Sequence, residues 1–462
     1  MKRNWFVCLK NAFLFASMLG IALGQSCGSL GDSESEEHRM ATEATLAWNN
    51  LMLDLERYTP GYRPPVSARM FAYVEMAAYE AALPDLQGYV SMEQYCPGYV
   101  RPAILPAKGQ FHLPSSINAA YAQILRDFFP TTPEHLKKRI DDLEDSYARR
   151  FHEIIDVNIL YQSKTYGQSV SKAVWQWSAT DKEGHDAFLY NFDRNYVADS
   201  SPGCWHPQGK RPLPPLLPNW GKVRSFVATI PDIPVKPPLP FEESPGSGLH
   251  TEALEVFSVS HPLSKENRWI AELWSDDLPG LTVTPAGRWI SIANQAMAEA
   301  HLPFTEVIET YLKMAIAMCD VGIVTWNSKY TYNRERPETY IRRVIKTDWS
   351  PLHENPNFPS YPSGHSAFGA AAAEVLSAHL GDQFTMTDRT HENRQEFTGK
   401  PRTYHSFTEM AQENATSRVL IGVHYRMDCK EGLRIGKNVG QKVNAMALRR
   451  AEARVFEKND ER

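Results

Sequence analysis

The stretch Tyr361-Pro362-Ser363-Gly364-His365-Ser366-Ala367-Phe368-Gly369 opens a small-residue run that continues to Leu380 and is closed by Gly381. Uninterrupted small and apolar residues predict a helix, and Ser363 stands where an N-cap is expected. The free amides of such a first turn point at an anion. Basic stretches flank the run on both sides. Upstream lies Lys329-Tyr-Thr-Tyr-Asn-Arg-Glu-Arg336-Pro337, and downstream Ser417-Arg418-Val-Leu-Ile-Gly-Val-His424-Tyr-Arg-Met-Asp428. Lys329 and Arg336, seven apart, would share a helical face that Pro337 then disturbs. Ser417, His424 and Asp428 fit one face at spacings of seven and four, whereas Arg418 falls about 100° off it. Arg418 therefore either reaches round or precedes the helix. Asp428 is spaced to take one ring N–H of His424, fixing its tautomer and making the other nitrogen a better nucleophile or ligand. One lysine, two arginines, two histidines and a Ser-Gly amide pair form the inventory of a tetrahedral-oxyanion site.

The order Lys-x6-Arg-Pro, Pro-Ser-Gly-His, Ser-Arg-x5-His-x3-Asp resembles the shared signature of vanadium-dependent haloperoxidases and the type 2 phosphatidic acid phosphatase superfamily. Every motif position is matched, over about a hundred residues. The resemblance implies vanadate as cofactor, with phosphate competing for the same site. It implies His424 as the single protein ligand to vanadium, and Lys329, Arg336, Arg418, Ser363 and the Gly364 amide as partners of its oxygens. His365 is implied as the acid/base for hydrogen peroxide, Lys329 as the group that polarises the peroxide, and Asp428 as the residue that orients His424. In the phosphatase alternative His424 is the nucleophile of a phosphohistidine pathway and His365 protonates the leaving group. The two chemistries share a site because five-coordinate vanadate resembles a phosphoryl-transfer transition state.

Three features favour the peroxidase. Roughly two hundred residues of helical character precede the motifs. Trp326 resembles a tryptophan of the haloperoxidase pocket. Phe358 stands where bromoperoxidases tend to carry histidine and chloro- or iodoperoxidases phenylalanine; core packing is the plain alternative for both aromatics. The expected substrates are hydrogen peroxide and iodide, then bromide, with small organic molecules as halogen acceptors. A third reading is a surface binding protein with an inactive site.

Residues 1–26 read as an export signal, with Lys2, Arg3 and Lys10 ahead of the 13-residue apolar run Ala12–Gly24. Leu23-Gly-Gln-Ser-Cys27 is a loose lipobox, and Ala22-Leu-Gly24 a competing small-residue cleavage site. The expectation is a periplasmic or cell-surface protein, lipid-anchored at Cys27 or else secreted. Membrane contact would run only through that anchor. Loss of the leader shifts the net charge from −5 to about −8, which argues against nucleic acid as a partner. Of six cysteines, Cys96 and Cys204 sit in loop contexts that could pair, while Cys319 and Cys429 read as buried thiols.

The remaining chain reads as an acidic tether over 27–40, an N-terminal helical region over 41–247 and a C-terminal bundle over 248–462. Helical periodicity marks Val66–Leu83, Ser116–Phe129, Pro133–His152 and Gln162–Trp177. A proline- and aromatic-rich connection follows over 178–247, expected to run across the surface and line the pocket entrance; His185 and His206 read as loop histidines. Further helices are expected at 252–258, 265–275, 285–300, 305–330 and 431–457, and Ser406-Phe-Thr-Glu409 predicts a helix start. Asp276-Asp277 reads as a helix-end turn, with an ion pair to a site arginine as its other role. The Asn414-Ala-Thr416 sequon reads as accidental. The fold class is mainly α: two packed helical bundles with the oxyanion site in the C-terminal one.

Overall fold

The acidic run after the leader is not all tether. In the computed structural model, which describes residues 34–103, 109–207, 212–396 and 398–450, helix α1 spans Glu36–Tyr58. Ser35 Oγ caps it by accepting from His38 N at 3.1 Å, and Glu36 and Glu37 sit in the first turn, where the helix dipole favours carboxylates. Met40 is already buried, so the expected tether loses Glu36–Met40 to helix α1. The leader and Cys27 lie outside the described residues.

Helices α2 (Pro64–Ala82), α3 (Leu113–Phe128), α4 (Glu134–His152) and α5 (Val157–Ala179) follow the periodicity read from the sequence, with small shifts at their ends. Periodicity alone understates the burial of α2. All of its residues are buried, and its charged side chains find partners inside: Arg69 pairs with Asp181 at 3.0 Å, and Glu75 accepts from Tyr121 Oη at 2.8 Å.

Among the described residues of 180–247 the only helical elements are two short 3-10 turns, yet the segment is pinned. The buried Asp320 carboxylate accepts the N–H groups of Phe226, Val227 and Ala228 at 2.7–2.8 Å. Trp205 and Trp220 are buried by it, so the connection is packed as well as superficial. Cys96 (buried) and Cys204 (partly exposed) are free thiols, and the pairing considered for them is not formed.

The later helices are α6 (Gly248–Ser260), α7 (Lys265–Leu273), α8 (Pro285–Ala300), α9 (Phe304–Tyr332) and α10 (Pro337–Val344). Then come α11 (Gly364–Leu380), α12 (Phe407–Ile421) and α13 (Arg426–Asn444). The only paired strands among the described residues are β1 (Met386–Asp388) and β2 (Arg402–Tyr404), antiparallel with Met386 opposite Tyr404. The molecule is mainly α, as expected. The last helix departs from expectation: it starts at Arg426 because Asp428 accepts the Tyr425 N–H at 3.2 Å, and it ends at Asn444 rather than Glu457.

Helix α9 lies between α2 and α11, and α11 packs most closely on α13. That closeness depends on glycine. A Cβ on Gly432 would lie 2.6 Å from the Ser363 carbonyl, one on Gly436 2.3 Å from that of Ala367, and one on Gly440 2.9 Å from that of Ala371. Gly436→Ala gains about 1 kcal/mol of helix propensity. Overpacking two helix backbones costs about 1–3 kcal/mol, and here the obstacle is backbone rather than a movable side chain. The expected outcome is a lowered denaturant midpoint; a midpoint equal to or above wild type would mean that α11 and α13 have slack.

Candidate functional site

Chain breaks, rather than continuous helices, bring the motif residues together. Helix α9 stops at Tyr332 because Asn333 is left-handed (φ 43°), its N–H closing on the Lys329 carbonyl at 2.9 Å. The chain then reaches Arg336, the N-cap of α10, where Pro337 loses no helical hydrogen bond. Lys329 and Arg336 thus lie on opposite sides of a break, not on one helical face. The same holds downstream. Arg418 is in the last turn of α12, Gly422 ends it with φ 91°, and His424 lies in the bend before α13. The single face expected for Ser417, His424 and Asp428 is not formed. What their spacing preserves is the contact: His424 Nδ1 lies 2.9 Å from Asp428 Oδ2.

Each cation is held by neutral oxygens. Buried Lys329 donates Nζ to the carbonyls of Pro359, Ser360 and Pro362 at 3.0, 2.9 and 2.6 Å. Arg336 donates to the Phe358 carbonyl through Nε and Nη2, and to that of Val423 through Nη1. Arg418 donates to the Trp274 carbonyl and to Ser417 Oγ. Burial, then the charge of Arg336, pushes the Lys329 ammonium well below its ordinary value. Burial likewise lowers Arg336 to about 9 and Arg418 to about 10. Asp428 is the carboxylate nearest the pair, accepting from the Ser360 hydroxyl at 2.5 Å. Burial raises it to about 6 against the lowering effect of Ser360 and Lys329.

Both histidines are held neutral. Asp428 engages His424 at Nδ1, which leaves the Nε2 lone pair facing Arg336 Nη1 at 3.1 Å. His365 Nε2 faces Arg418 Nη1 at 3.0 Å. Burial first, then Arg336 for His424 and Arg418 for His365, depresses both imidazoles well below the usual range. Ser363 caps α11 as expected, Oγ accepting from Ser366 N, while its own N–H goes to the Asp428 carbonyl at 3.0 Å. The Gly364 and His365 amides remain as first-turn donors without helical partners. The chemistry available is polyanion binding beside one imidazole nitrogen able to ligate or attack and another able to accept a proton.

His365, His424, Gly364 and Arg418 line a cavity of about 360 Å³, with Trp326 and Phe358 in its wall. The two aromatic rings are 5.0 Å apart. Lys329, Arg336, Ser363 and Asp428 sit behind that wall. No described residue of 178–247 lines the cavity, whose lining instead includes Arg63, Asp277, Pro279, His353 and Asn355. Asp276 and Asp277 follow the end of α7 and reach the cavity, Asp277 paired with Arg63 at 3.1 Å. Sequence reasoning missed Ser360, Arg63 and His353. Ser360 immediately precedes the string that opens at Tyr361, and neither Arg63 nor His353 stands in one of the three motif strings. Asn414 is buried and donates Nδ2 to the His365 carbonyl at 3.2 Å, which accounts for its sequon as accidental.

These elements define a class: a helical protein in which two neutral histidines, a buried lysine and two buried arginines gather around one cavity. Residues 309–453 match the family model described as the second helical-bundle domain of VCPO. The chain is 21% identical to the vanadium chloroperoxidase of Curvularia inaequalis over 86% of its own length and 80% of that protein's. The crystal structure of a bacterial vanadium-dependent iodoperoxidase superposes with TM-score 0.79 at 27% identity, covering 89% of this chain and 98% of the other. A holo bacterial vanadium-dependent chloroperoxidase superposes with TM-score 0.64 at 17% identity, over 84% and 92% of the two chains. Over most of its length the chain is thus similar to vanadium-dependent haloperoxidases, and over residues 309–453 to the second helical-bundle domain of their family model.

Sulfate tests the electrostatics, because its own charge is constant through the neutral range. Lys329 is depressed in the free site, and a bound anion restores its proton, so binding takes up protons below the ordinary lysine value of 10.5. Sulfate affinity, measured by calorimetry in buffers of different ionisation enthalpy, is expected to fall as pH rises. Affinity independent of pH would mean that Lys329 stays charged throughout.

Proposed function

We propose that this chain is a vanadate-dependent haloperoxidase that uses hydrogen peroxide to oxidise iodide, and bromide less readily, to the hypohalous acid. The observation that carries the reading is the cavity: both neutral imidazoles line one partly open recess of about 360 Å³ with Trp326 and Phe358 in its wall. Such a recess has room for two small reactants beside the imidazoles.

The residues fit vanadate. Lys329 and Arg336 bring two buried cations against the Asp428 carboxylate, and Arg418 adds a third that shares Asp276 and Asp277 with Arg288 and Arg63, a charge excess that a multiply charged oxyanion would offset. In this reading His424 Nε2 is the metal ligand, and Ser363 with the Gly364 amide completes the cradle. Bound vanadate acts as a Lewis acid that activates peroxide toward halide without redox change at the metal. Asp428 holds the His424 proton at Nδ1. His365 Nε2 takes the proton from incoming peroxide and returns it to the departing oxygen. Lys329 polarises the peroxide, and Trp326 and Phe358 form the halide wall. Export through residues 1–26 with anchorage at Cys27 is part of the proposal and rests on the leader sequence; among the described residues no helix is long and apolar enough to cross a membrane.

One contact favours a second reading. The His424–Asp428 pair also suits a nucleophilic histidine, so phosphate-ester hydrolysis is the competing activity. Phosphate-free protein, divided between orthovanadate with peroxide and iodide and an aryl phosphate alone, separates the two. Iodide oxidation that requires vanadate and is abolished by excess phosphate is the expected result; ester hydrolysis inhibited by vanadate without halide oxidation would replace the proposal. His424→Ala is expected to lose stoichiometric vanadium. His365→Ala is expected to keep vanadium while turnover drops by about 10²–10⁴, the usual worth of a positioned acid/base. Phe358→His is expected to shift the iodide-to-bromide rate ratio toward bromide, and an unchanged ratio would return Phe358 to packing alone.

A further inference from the structure

The inner cations leave the halide without a partner of its own. Lys329 and Arg336 are committed to loop carbonyls and, in the proposed reading, to the oxyanion, as is Arg418. Among the described residues lining the cavity, the one other lysine or arginine is Arg63. It comes from the first half of the chain, as the N-cap of α2, fixed by the Pro64-Pro65 start. Its Nη2 donates to Asp277 at 3.1 Å, but its Nε is buried and has no acceptor. A buried charged N–H without a protein acceptor is costly, and an anion in the cavity is one partner that would satisfy it.

Asp277 is itself constrained. It has φ 75°, unusual for a residue with a side chain, and its N–H is tied to the Val283 carbonyl at 2.9 Å. The loop thereby fixes the carboxylate, which lies within electrostatic reach of both Arg63 and Arg418. Around Arg63 the lining is apolar, with Pro64, Leu278, Pro279 and Pro285. A guanidinium is weakly hydrated compared with an ammonium, and an apolar rim disfavours strongly hydrated anions. This setting suits a large polarisable halide over a small one.

We propose that Arg63 is the halide-binding cation of the outer cavity, with Asp277 as the counter-ion that aims it inward. The inference rests on the haloperoxidase reading. Its test uses the full chain loaded with orthovanadate (or phosphate, should vanadate not load), titrated with iodide by calorimetry without peroxide. One saturable iodide site is expected, weakened about tenfold in Arg63→Gln, the worth of one charge-assisted hydrogen bond. Asp277→Asn keeps a residue that tolerates left-handed backbone and frees the guanidinium, so iodide should bind more tightly. In turnover, the iodide KM should rise about tenfold in R63Q and fall in D277N, with peroxide KM and bound vanadium unchanged. Iodide binding and KM unaltered in both variants would overturn the assignment. So would a peroxide KM or vanadium content that moves together with the iodide KM in R63Q, because Arg63 would then belong to the oxyanion site. Arg63-dependent iodide binding in a wild-type protein without turnover would sink the haloperoxidase reading and leave the anion site standing.

Discussion

Buried Lys329 and Arg336 set against the single carboxylate of Asp428, with buried Arg418 beside them facing Asp276 and Asp277, are the constraint on which the site depends. Lys329 and Arg336 have no measurable exposure and Arg418 very little. Burying an unpaired charge costs several kcal/mol, so the fold must supply dipoles where it does not supply counter-ions. It does so with the loop 358–362 and with the Trp274 and Val423 carbonyls, whose oxygens surround the three side chains. Dipoles solvate a charge without cancelling it. The lowered values of Lys329, Arg336 and Arg418 record that remaining deficit, and a polyanion is the ligand that removes it.

Holding those oxygens in place requires rigid surroundings. Loop 358–362 is clamped between α9, whose last turn carries Lys329, and α13, whose first turn carries Asp428. The Ser363 N–H to Asp428 carbonyl bond ties the starts of α11 and α13 together, and the glycine face of α13 lets the helices approach until their backbones touch. Helix α9 then carries the arrangement outward. Asp320, nine residues before Lys329, anchors the long connection through three backbone amides. The opposite flank of α9 packs on α2, whose N-cap is Arg63. A site that looks confined to the last third of the chain is therefore walled by residues from both halves.

This layout explains which parts were legible in the sequence. The motif residues were, because chemistry limits each to one or two residue types and they stand in short strings. The N-cap at Ser363 was legible for the same reason, and so were most helices, through their periodicity. The breaks were not. Spacings of seven from Lys329 to Arg336 and from Ser417 to His424 imitate a helical face, and only backbone geometry at Asn333 and Gly422 reveals otherwise. Helix α1 was hidden because its first turn is acidic, a composition that serves the helix dipole but also describes a tether. Burial of α2 on all sides was masked by Arg69, Glu75 and Glu80, whose partners lie in distant segments. Arg63 and Asp277 meet across 214 residues, a contact that no local pattern encodes.

The two histidines begin alike and are separated by what stands behind them. Both are buried, neutral, and present Nε2 to an arginine. Behind His424 is a carboxylate at hydrogen-bond distance; behind His365 is the backbone of Asp276. A carboxylate pushes electron density into the ring and fixes its tautomer, which favours a lasting bond at Nε2. A peptide carbonyl orients the ring with less charge, and the neighbouring Arg418 disfavours a retained proton. A group that must accept a proton and then release it is better served by that second setting. The asymmetry of the partners, more than the identity of the imidazoles, is what suits His424 to hold an oxyanion and His365 to move a proton beside it.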